Sequence, residues 1–508
     1  MIIQNIYGLP EGVLKLPENF VIPEKRVKRS PRPVDFEDLT EEQHRAAIEL
    51  MAYIEGETDF RMWLLKGYAG TGKTYTLGKI QDWLLYAKKM KVAASAPTNK
   101  AVHVIKDLCD IADPKLTFST IHSLLGLKES YDYQGRLKFI PDPQHPPSLE
   151  GYDVLFIDEA SMFDDDLFRL INPFVEKGVK IVFIGDPAQI PPVNRMDCIP
   201  FITKHQRTYK IGVSELVNIR RQAHDNPLLH FATEIREQRG TNEFDYQYEC
   251  VVKDGMGVIP IVKKANDLIY QICDVYFANK IFQDYPDFMK VIAWRNITVN
   301  AVNNKVRELI YKEHINKVGD DIAQAKYKLP MLMPGEKMIA DSPIKNEQGI
   351  IILTTNAEFV VKEFDVSATI HTAKVGDQVI ARNEYKYYDT DIETMNTRGK
   401  IIKLNIRVLH EDCVKMYNHT LELFKIRIAQ IGDAGMRAGA WRSYYDLFNL
   451  FAKVKYNYAI TAHKAQGSSY ENCMMIEWDM YENTRYEERN RIRYVAATRA
   501  RKYLFIIK

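Results

Sequence analysis

The chain has 508 residues, 46% of them hydrophobic, and its 69 basic and 67 acidic side chains leave a formal net charge of +2. That length accommodates about three domains, and near-neutrality excludes an overall basic field, so any nucleic acid must be held by a local groove. The six cysteines contain no C-x-x-C pair, which speaks against a zinc site or a disulfide framework, and no apolar run approaches membrane-spanning length.

Residues 1–35 are rich in proline and charge and end in "EKRVKRSPRP". They read as an extended N-terminal arm with little core of its own, its basic cluster either a solvated linker or a phosphate contact. "DLTEEQHRAAIELMAYI" then opens a helix, with Thr40 as N-cap and Gln43 at the capping-box position. From "RMWLLKGYAGTGKTYTLGKI" onward, short apolar runs alternate with helical patterns. "KVAASAP", "YDVLFIDEA" and "VKIVFIGDP" each read as a buried strand followed by a polar turn, the grammar of a parallel sheet covered by helices. The same grammar recurs at "FMKVIAWRN" and "KYLFIIK", which predicts a second α/β unit. Between them, roughly 325–453, short alternating strands such as "EFVVKEF" and "IIKLNIRVL" precede the aromatic stretch "AWRSYYDLFNLFAKV" and read as an inserted, mainly β module with a helical return.

"GYAGTGKT" matches G-x-x-x-x-G-K-[ST] between a strand and a helix, the context that a phosphate-binding loop requires. Gly67, Gly70 and Gly72 would let backbone N–H groups close around phosphate oxygens at a helix N-terminus. Lys73 would reach the β and γ phosphates of ATP, and the Thr74 hydroxyl would hold Mg²⁺. Asp158 and Glu159 stand at the end of a buried strand, where an acidic pair needs a cation. Asp158 would complete the Mg²⁺ site, and Glu159 would orient and deprotonate the attacking water. Gln189, after the next strand, would sense the γ-phosphate or the water. The alternatives are a glycine-rich turn with a surface lysine, an exposed acidic turn, and a plain turn glutamine.

In order along the chain occur "LTEEQ", "GYAGTGKT", "SAPTNKA", "STIHSLLG", "FIDEASM", "GDPAQIPPV", "ELVNIRRQ", "AITAHKAQGSSY" and "YVAATRARK". This series resembles the motifs of superfamily 1 helicases, in the B branch of RecD-like and Dda-like proteins, from about Leu39 to the C-terminus. Stretches such as "FSTIHSLLGL" and "HKAQGSS" are more similar to the Dda type. The first 35 residues have no counterpart in the resemblance.

The resemblance implies two RecA-like motor domains with two insertions: 36–214 for the first, carrying a pin hairpin at about 127–150, then 215–324 and 454–508 for the second, interrupted at 325–453 by an SH3-like β module. It implies that Arg499, in "YVAATRA", reaches across to the γ-phosphate, while Arg501 matches no catalytic position. In "ELVNIRRQ" the spacing L-x-x-x-x-R selects Arg221 over Arg220 as a second phosphate-binding arginine. Gln43 matches a glutamine that reads the adenine edge, or else simply caps its helix. Thr98, Asn99 and His122 from the first motor domain, and Thr461, His463, Lys464 and Ser468 from the second, match positions that contact DNA without reading sequence. In "LKESYDYQGRLKFIPDP", with Gln134 and Gly135 near the turn, Phe139 lies where the family pin carries a base-stacking aromatic. The alternative is that Phe139 packs the hairpin onto the motor core.

The activity implied is an ATP-dependent DNA helicase using ATP and Mg²⁺, moving 5′ to 3′ on single-stranded DNA and opening fork or tailed duplex DNA. A cytoplasmic monomer with replication proteins as partners and no membrane is expected. A DNA-stimulated ATPase that remodels protein–DNA complexes and a nucleotide-switched DNA-binding module are the alternatives from other classes.

Overall fold

Alternation of side chains along each predicted motor strand demands apolar cover on two faces, and the computed structural model supplies it. The structure describes residues 9–508 apart from 11–12, 17–19, 24–25, 132–136, 193–196, 220–224, 239–247, 263–265, 313–328, 347 and 397–399. In chain order the first strands are β1 (Met62–Gly67), β2 (Val92–Ala96), β3 (Leu116–Thr120), β4 (Leu127–Tyr131), β5 (Leu137–Pro141), β6 (Val154–Ile157), β7 (Lys180–Gly185) and β8 (Ile211–Leu216). There follow β9 (Val251–Lys253), β10 (Met256–Ile261), β11 (Met289–Ala293), β12 (Lys337–Ala340), β13 (Ile344–Lys345), β14 (Ile351–Leu353), β15 (Glu358–Val375), β16 (Gln378–Met395) and β17 (Ile401–Leu409). The last are β18 (Val454–Tyr456), β19 (Ala459–Thr461), β20 (Tyr470–Ile476) and β21 (Ala500–Ile507).

The first sheet has the order β3-β2-β6-β7-β1-β8 and is parallel throughout. Period-two alternation divides its side chains between two cores. Trp63, Leu65, Val182 and Ile184 join one cluster, while Met62, Leu64, Ile181 and Phe183 join the other. The second sheet, β19-β11-β20-β21-β10-β9, is parallel except for β9. Two RecA-like α/β layers are therefore present. By contacts the chain divides into two compact units: Met1–Lys128, Phe139–Val302 and Ala459–Lys508 form one, which holds both parallel sheets. Glu129–Lys138 and Asn303–Tyr458 form the other, built around the antiparallel sheet β17-β16-β15-β12-β18.

Two expected boundaries shift. The 214/215 division falls inside β8, which runs in register with β1 from Met62 opposite Ile211 to Gly67 opposite Leu216, so the first sheet continues through Leu216. The 453/454 division assigns β18 to the second motor, yet β18 pairs antiparallel with β12, and the motor resumes only at β19. The strands of the inserted module are also longer than expected. β15 and β16 each run 18 residues, with irregularities between Val361 and Glu363 and between Ala373 and Lys374 that let a long hairpin twist.

The N-terminal arm is not a solvated linker. Val13 is buried and its carbonyl accepts the Tyr276 hydroxyl at 2.7 Å, and the Phe20 ring lies 4.9 Å from that of Phe288. Arg29 makes a parallel bridge to Ile111, and its guanidinium binds both oxygens of the buried Asp82 at 2.9 and 2.6 Å and Asp110 at 2.9 Å. Part of the basic cluster thus serves the protein itself: Lys28 donates to the carbonyls of Lys106, at 2.5 Å, and Cys109. Among the described residues no helix is long and apolar enough to cross a membrane.

Candidate active site

β1 ends at Gly67 and the Lys73–Asp82 helix follows after a short turn. Gly70 (φ 79°) and Gly72 (φ 87°) take the left-handed backbone that a phosphate-cradling turn needs. Lys73 Nζ donates to the carbonyls of Gly67 (2.6 Å) and Tyr68 (2.9 Å), so its charge lies over the mouth of the loop. Thr74 is exposed in the same first turn. Gln43 is buried with both ends of its amide engaged: Oε1 accepts the Thr40 N–H at 3.2 Å in a capping box, and Nε2 donates to the Thr71 carbonyl at 2.8 Å. The capping side chain therefore also braces the phosphate loop.

The acidic pair follows β6, one strand removed from β1. The Asp158 N–H donates to the Ser95 carbonyl at 2.8 Å, and the Glu159 N–H donates to Asp158 Oδ1 at 2.9 Å. Glu159 sits at φ 53°, a left-handed conformation costly for a side chain of its size and of the kind that clusters at functional sites. Burial, and then the adjacent Asp158, push the Glu159 carboxyl up to about 7, while Arg499 and Lys73 pull it back and Asp186 adds to the rise. Burial also raises Asp158, opposed by the Glu159 N–H and the charge of Lys73. Glu159 Oε2 and Gln189 Oε1 are buried and lack a hydrogen-bond partner. Acceptors of this kind fit a water, a hydroxyl or a hydrated cation.

The second sheet completes the site. Arg499, 6% exposed, donates to the carbonyls of Val495 and Ser468, each at 2.9 Å, and to Thr498 Oγ1 at 2.8 Å, with its charge felt at Glu159. Gly467 (φ 73°) comes so close that a Cβ there would stand 3.1 Å from Ala101 Cβ and 3.6 Å from Glu159 Cγ. Three side chains that sequence reasoning passed over hold the turn carrying Gln189. Tyr494 donates to Asp186 at 2.6 Å. Arg491 donates to the carbonyls of Pro187 (3.1 Å) and Gln189 (2.7 Å). Gln466 donates to the carbonyl of Ile190 (3.1 Å) and to Ser161 Oγ (2.9 Å). Their signal lay in "HKAQGSS" and in the helix that leads into "YVAATRA". Arg501 pairs with Glu471 at 3.3 Å, away from these groups, and Arg221 and its neighbour Arg220 lie outside the described residues.

The expected DNA contacts fall at the ends of strands. Thr98 and Thr461 each cap a helix, accepting from the N–H of Ala101 (3.2 Å) and Lys464 (3.3 Å), and Asn99 opens the helix that Thr98 caps. His122 stands in the turn after β3, where burial lowers its pKa to about 4 against a hydrogen bond with the Pro97 backbone. His463 is likewise lowered by burial, Lys464 follows it in the same turn, and Ser468 is buried with its carbonyl serving Arg499. β4 and β5 form the expected hairpin, whose turn at Gln134 and Gly135 lies outside the described residues. Phe139 on β5 stacks on His122, ring centroids 3.8 Å apart.

A family model described as an AAA domain matches residues 38–250, and one described as a UvrD-like helicase C-terminal domain matches residues 456–507. The ATP-dependent DNA helicase dda of Enterobacteria phage T4 is 26% identical over 483 residues, covering 93% of this chain and 100% of its own length. An uncharacterized protein, R530, of Acanthamoeba polyphaga mimivirus is 24% identical over 520 residues, covering 90% of this chain and 97% of its own. The ATP-dependent RecD2 DNA helicase of Deinococcus radiodurans is 31% identical over 194 residues, 38% of this chain and 23% of that protein. The chain thus carries an AAA domain and a UvrD-like helicase C-terminal domain and is similar over most of its length to the phage T4 helicase, a likeness consistent with the superfamily 1B helicases.

Proposed function

We propose that this protein is an ATP-dependent DNA helicase that moves along single-stranded DNA and unwinds fork or tailed duplex DNA. The observation that carries this reading is geometric: a Cβ on Gly467 would stand 3.6 Å from Glu159 Cγ, and Arg499 is anchored on the neighbouring Ser468 carbonyl, so groups from both parallel sheets meet at one buried acid.

Gly70 and Gly72 open the loop for the phosphates of ATP, and Lys73 leaves its loop carbonyls to meet them. Thr74 and Asp158 would hold Mg²⁺ together with phosphate oxygens, a hydroxyl and a carboxylate being oxygen donors of the kind this ion takes. Bound there, Mg²⁺ supplies charge neutralisation on the phosphates. Glu159 takes the proton of the attacking water, Gln189 offers its unpaired Oε1 to orient that water, and Arg499 meets the charge developing on the γ-phosphate. Arg221 is proposed as the second arginine on the same phosphate, and Gln43 as the reader of the adenine edge. Closing and opening the cleft moves the grip of Thr98, Asn99 and His122 relative to that of Thr461, His463, Lys464 and Ser468. The β4–β5 hairpin with Phe139 is the proposed pin, and the antiparallel module is proposed to be SH3-like. Movement from 5′ to 3′, monomeric action in the cytoplasm and engagement with replication proteins complete the proposal; the name of the phage T4 relative supports the reaction.

The test is steady-state ATP hydrolysis with and without single-stranded DNA, followed by strand displacement on duplexes with 5′ or 3′ tails. Stimulated hydrolysis and displacement of the 5′-tailed duplex are expected, and Lys73→Ala should abolish both while single-strand binding persists. Stimulated hydrolysis with neither tail opened would favour the remodelling ATPase, and turnover undiminished in Lys73→Ala would remove the phosphate-loop assignment.

A further inference from the structure

Tyr494 belongs to neither the phosphate loop nor the acidic pair, yet its hydroxyl touches the surroundings of both. It stands on the Tyr486–Ala497 helix of the second sheet, 2% exposed. Its O–H donates to Asp186 Oδ2 at 2.6 Å and accepts the N–H of Ala69, inside the phosphate loop, at 3.0 Å. Asp186 is 1% exposed, and its Oδ1 accepts the Ala188 N–H at 2.8 Å while its carbonyl accepts the Gln189 N–H at 3.2 Å. One phenol thus joins the backbone of the phosphate loop to the turn that presents Gln189. Burial and the Asp186 carboxylate hold that phenol well above its ordinary range, so it stays protonated and must donate.

The same residue leads back to Arg499. The Tyr494 carbonyl accepts the N–H and the hydroxyl of Thr498, each at 3.0 Å, and Thr498 Oγ1 accepts from the Arg499 guanidinium at 2.8 Å. Hydrogen bonds thus tie Ala69 and the Asp186 branch towards Gln189 to the Tyr494 hydroxyl, and tie Thr498 and then Arg499 to the Tyr494 backbone carbonyl, the two sets joined through the covalent frame of this one residue. We propose that Tyr494 is a positioning residue of the ATPase cycle, holding the phosphate loop, the Gln189 turn and Arg499 in one register so that hydrolysis and movement of the second sheet are coupled.

This inference rests on the ATPase reading above. The competing account is packing alone, since the Tyr494 ring lies in the core cluster that contains Ala188 and touches Ala69. Tyr494→Phe keeps the ring and removes only the hydroxyl, so it separates the two. Because a hydrogen bond to a buried carboxylate is lost, kcat of the single-strand-stimulated ATPase should fall about tenfold at a temperature well below the melting point, with KM for ATP within about twofold of wild type and a melting temperature lowered by only a few degrees. Asp186→Asn also takes a charge from beside Glu159, so it should slow turnover at least as much, and adding Tyr494→Phe to it should cost no more than about twofold further, because the bond is already broken. Unimpaired turnover in Tyr494→Phe, losses that multiply in the double variant, or a fall in kcat that only tracks a lowered melting temperature would each overturn the inference and leave the ATPase reading standing. A wild-type protein with no ATP turnover on the same plate would instead refute the ATPase reading and take this inference with it.

Discussion

Phe139 lies almost flat on His122, ring centroids 3.8 Å apart and planes 24° apart, so the aromatic proposed for the pin is seated on a residue proposed for the DNA path. One face of the ring is taken by protein. A nucleobase would meet the other face or displace the histidine. Phe139→Ala should slow strand displacement several-fold while DNA-stimulated ATPase survives, since a base stack is worth about 1–3 kcal/mol. Full burial would instead make this truncation cost about 3–5 kcal/mol of stability. A melting curve beside the two rates decides: a markedly lowered midpoint with parallel loss of both activities would reduce Phe139 to core packing.

His122 carries a pH dependence with a definite sign. Its folded-state pKa, about 4, lies below the ordinary 6.5 because burial disfavours the imidazolium. The unfolded chain therefore binds the proton first, and native stability is unaffected above about pH 6.5 but lost as pH falls from there towards 4. The penalty is on the order of 2 kcal/mol by pH 4.5. His122→Gln should show a shallower fall of melting temperature across that window than wild type. Parallel curves would mean that the ring is protonated in the fold without cost.

Arg499 and Arg501 sit two residues apart in different surroundings, and this makes them a matched pair. Arg499→Ala should lower ATPase kcat by at least about a hundredfold with a modest change in ATP affinity, as for an arginine acting on the transition state. Arg501→Ala loses an ion pair with the buried Glu471, which keeps Lys502 as a partner, and a hydrogen bond to Tyr285, and its turnover should stay near wild type. Equal losses in the two would refute the assignment of Arg499.

Glu159→Gln should bind ATP and Mg²⁺ yet turn over very slowly, because the amide keeps the shape of the side chain and cannot accept the proton. Nucleotide binding followed by equilibrium titration, beside single-turnover hydrolysis, checks both halves. Unchanged turnover would mean that another residue is the base.

The arm offers a stability test. Arg29→Ala leaves Asp82, whose side chain is 4% exposed, without its guanidinium partner. Loss of one member of a paired buried charge costs about 3–5 kcal/mol when both are fully buried. Arg29 is 27% exposed, so a loss on the order of 1–2 kcal/mol in chemical denaturation is expected. No measurable loss would return the arm to a surface ornament.

Much of this protein is legible along the chain, because contiguous motifs report local chemistry. "GYAGTGKT" specifies a strand, a left-handed turn and a helix start by glycine placement alone, and "VLFIDEA" needs only an apolar run and two acids to announce a strand-end carboxylate pair. Short continuous apolar runs likewise mark the motor strands, whose two faces receive separate cores. What the chain could not announce are relationships between distant segments. Register placed β8 in the first sheet and β18 in the antiparallel one, against the boundaries expected from the resemblance, because a strand's sheet is chosen by its hydrogen-bonding partner and not by its own residues. The arm's seat on Ile111, Asp82 and Phe288 pairs residues dozens to hundreds apart, and a basic run looks the same whether it meets solvent or a buried carboxylate. The bond from Tyr494 to Asp186 spans 308 positions. A tyrosine and an aspartate in separate motifs carry no mark of each other until folding brings their helix and turn within hydrogen-bonding distance, and desolvation then gives the contact its strength.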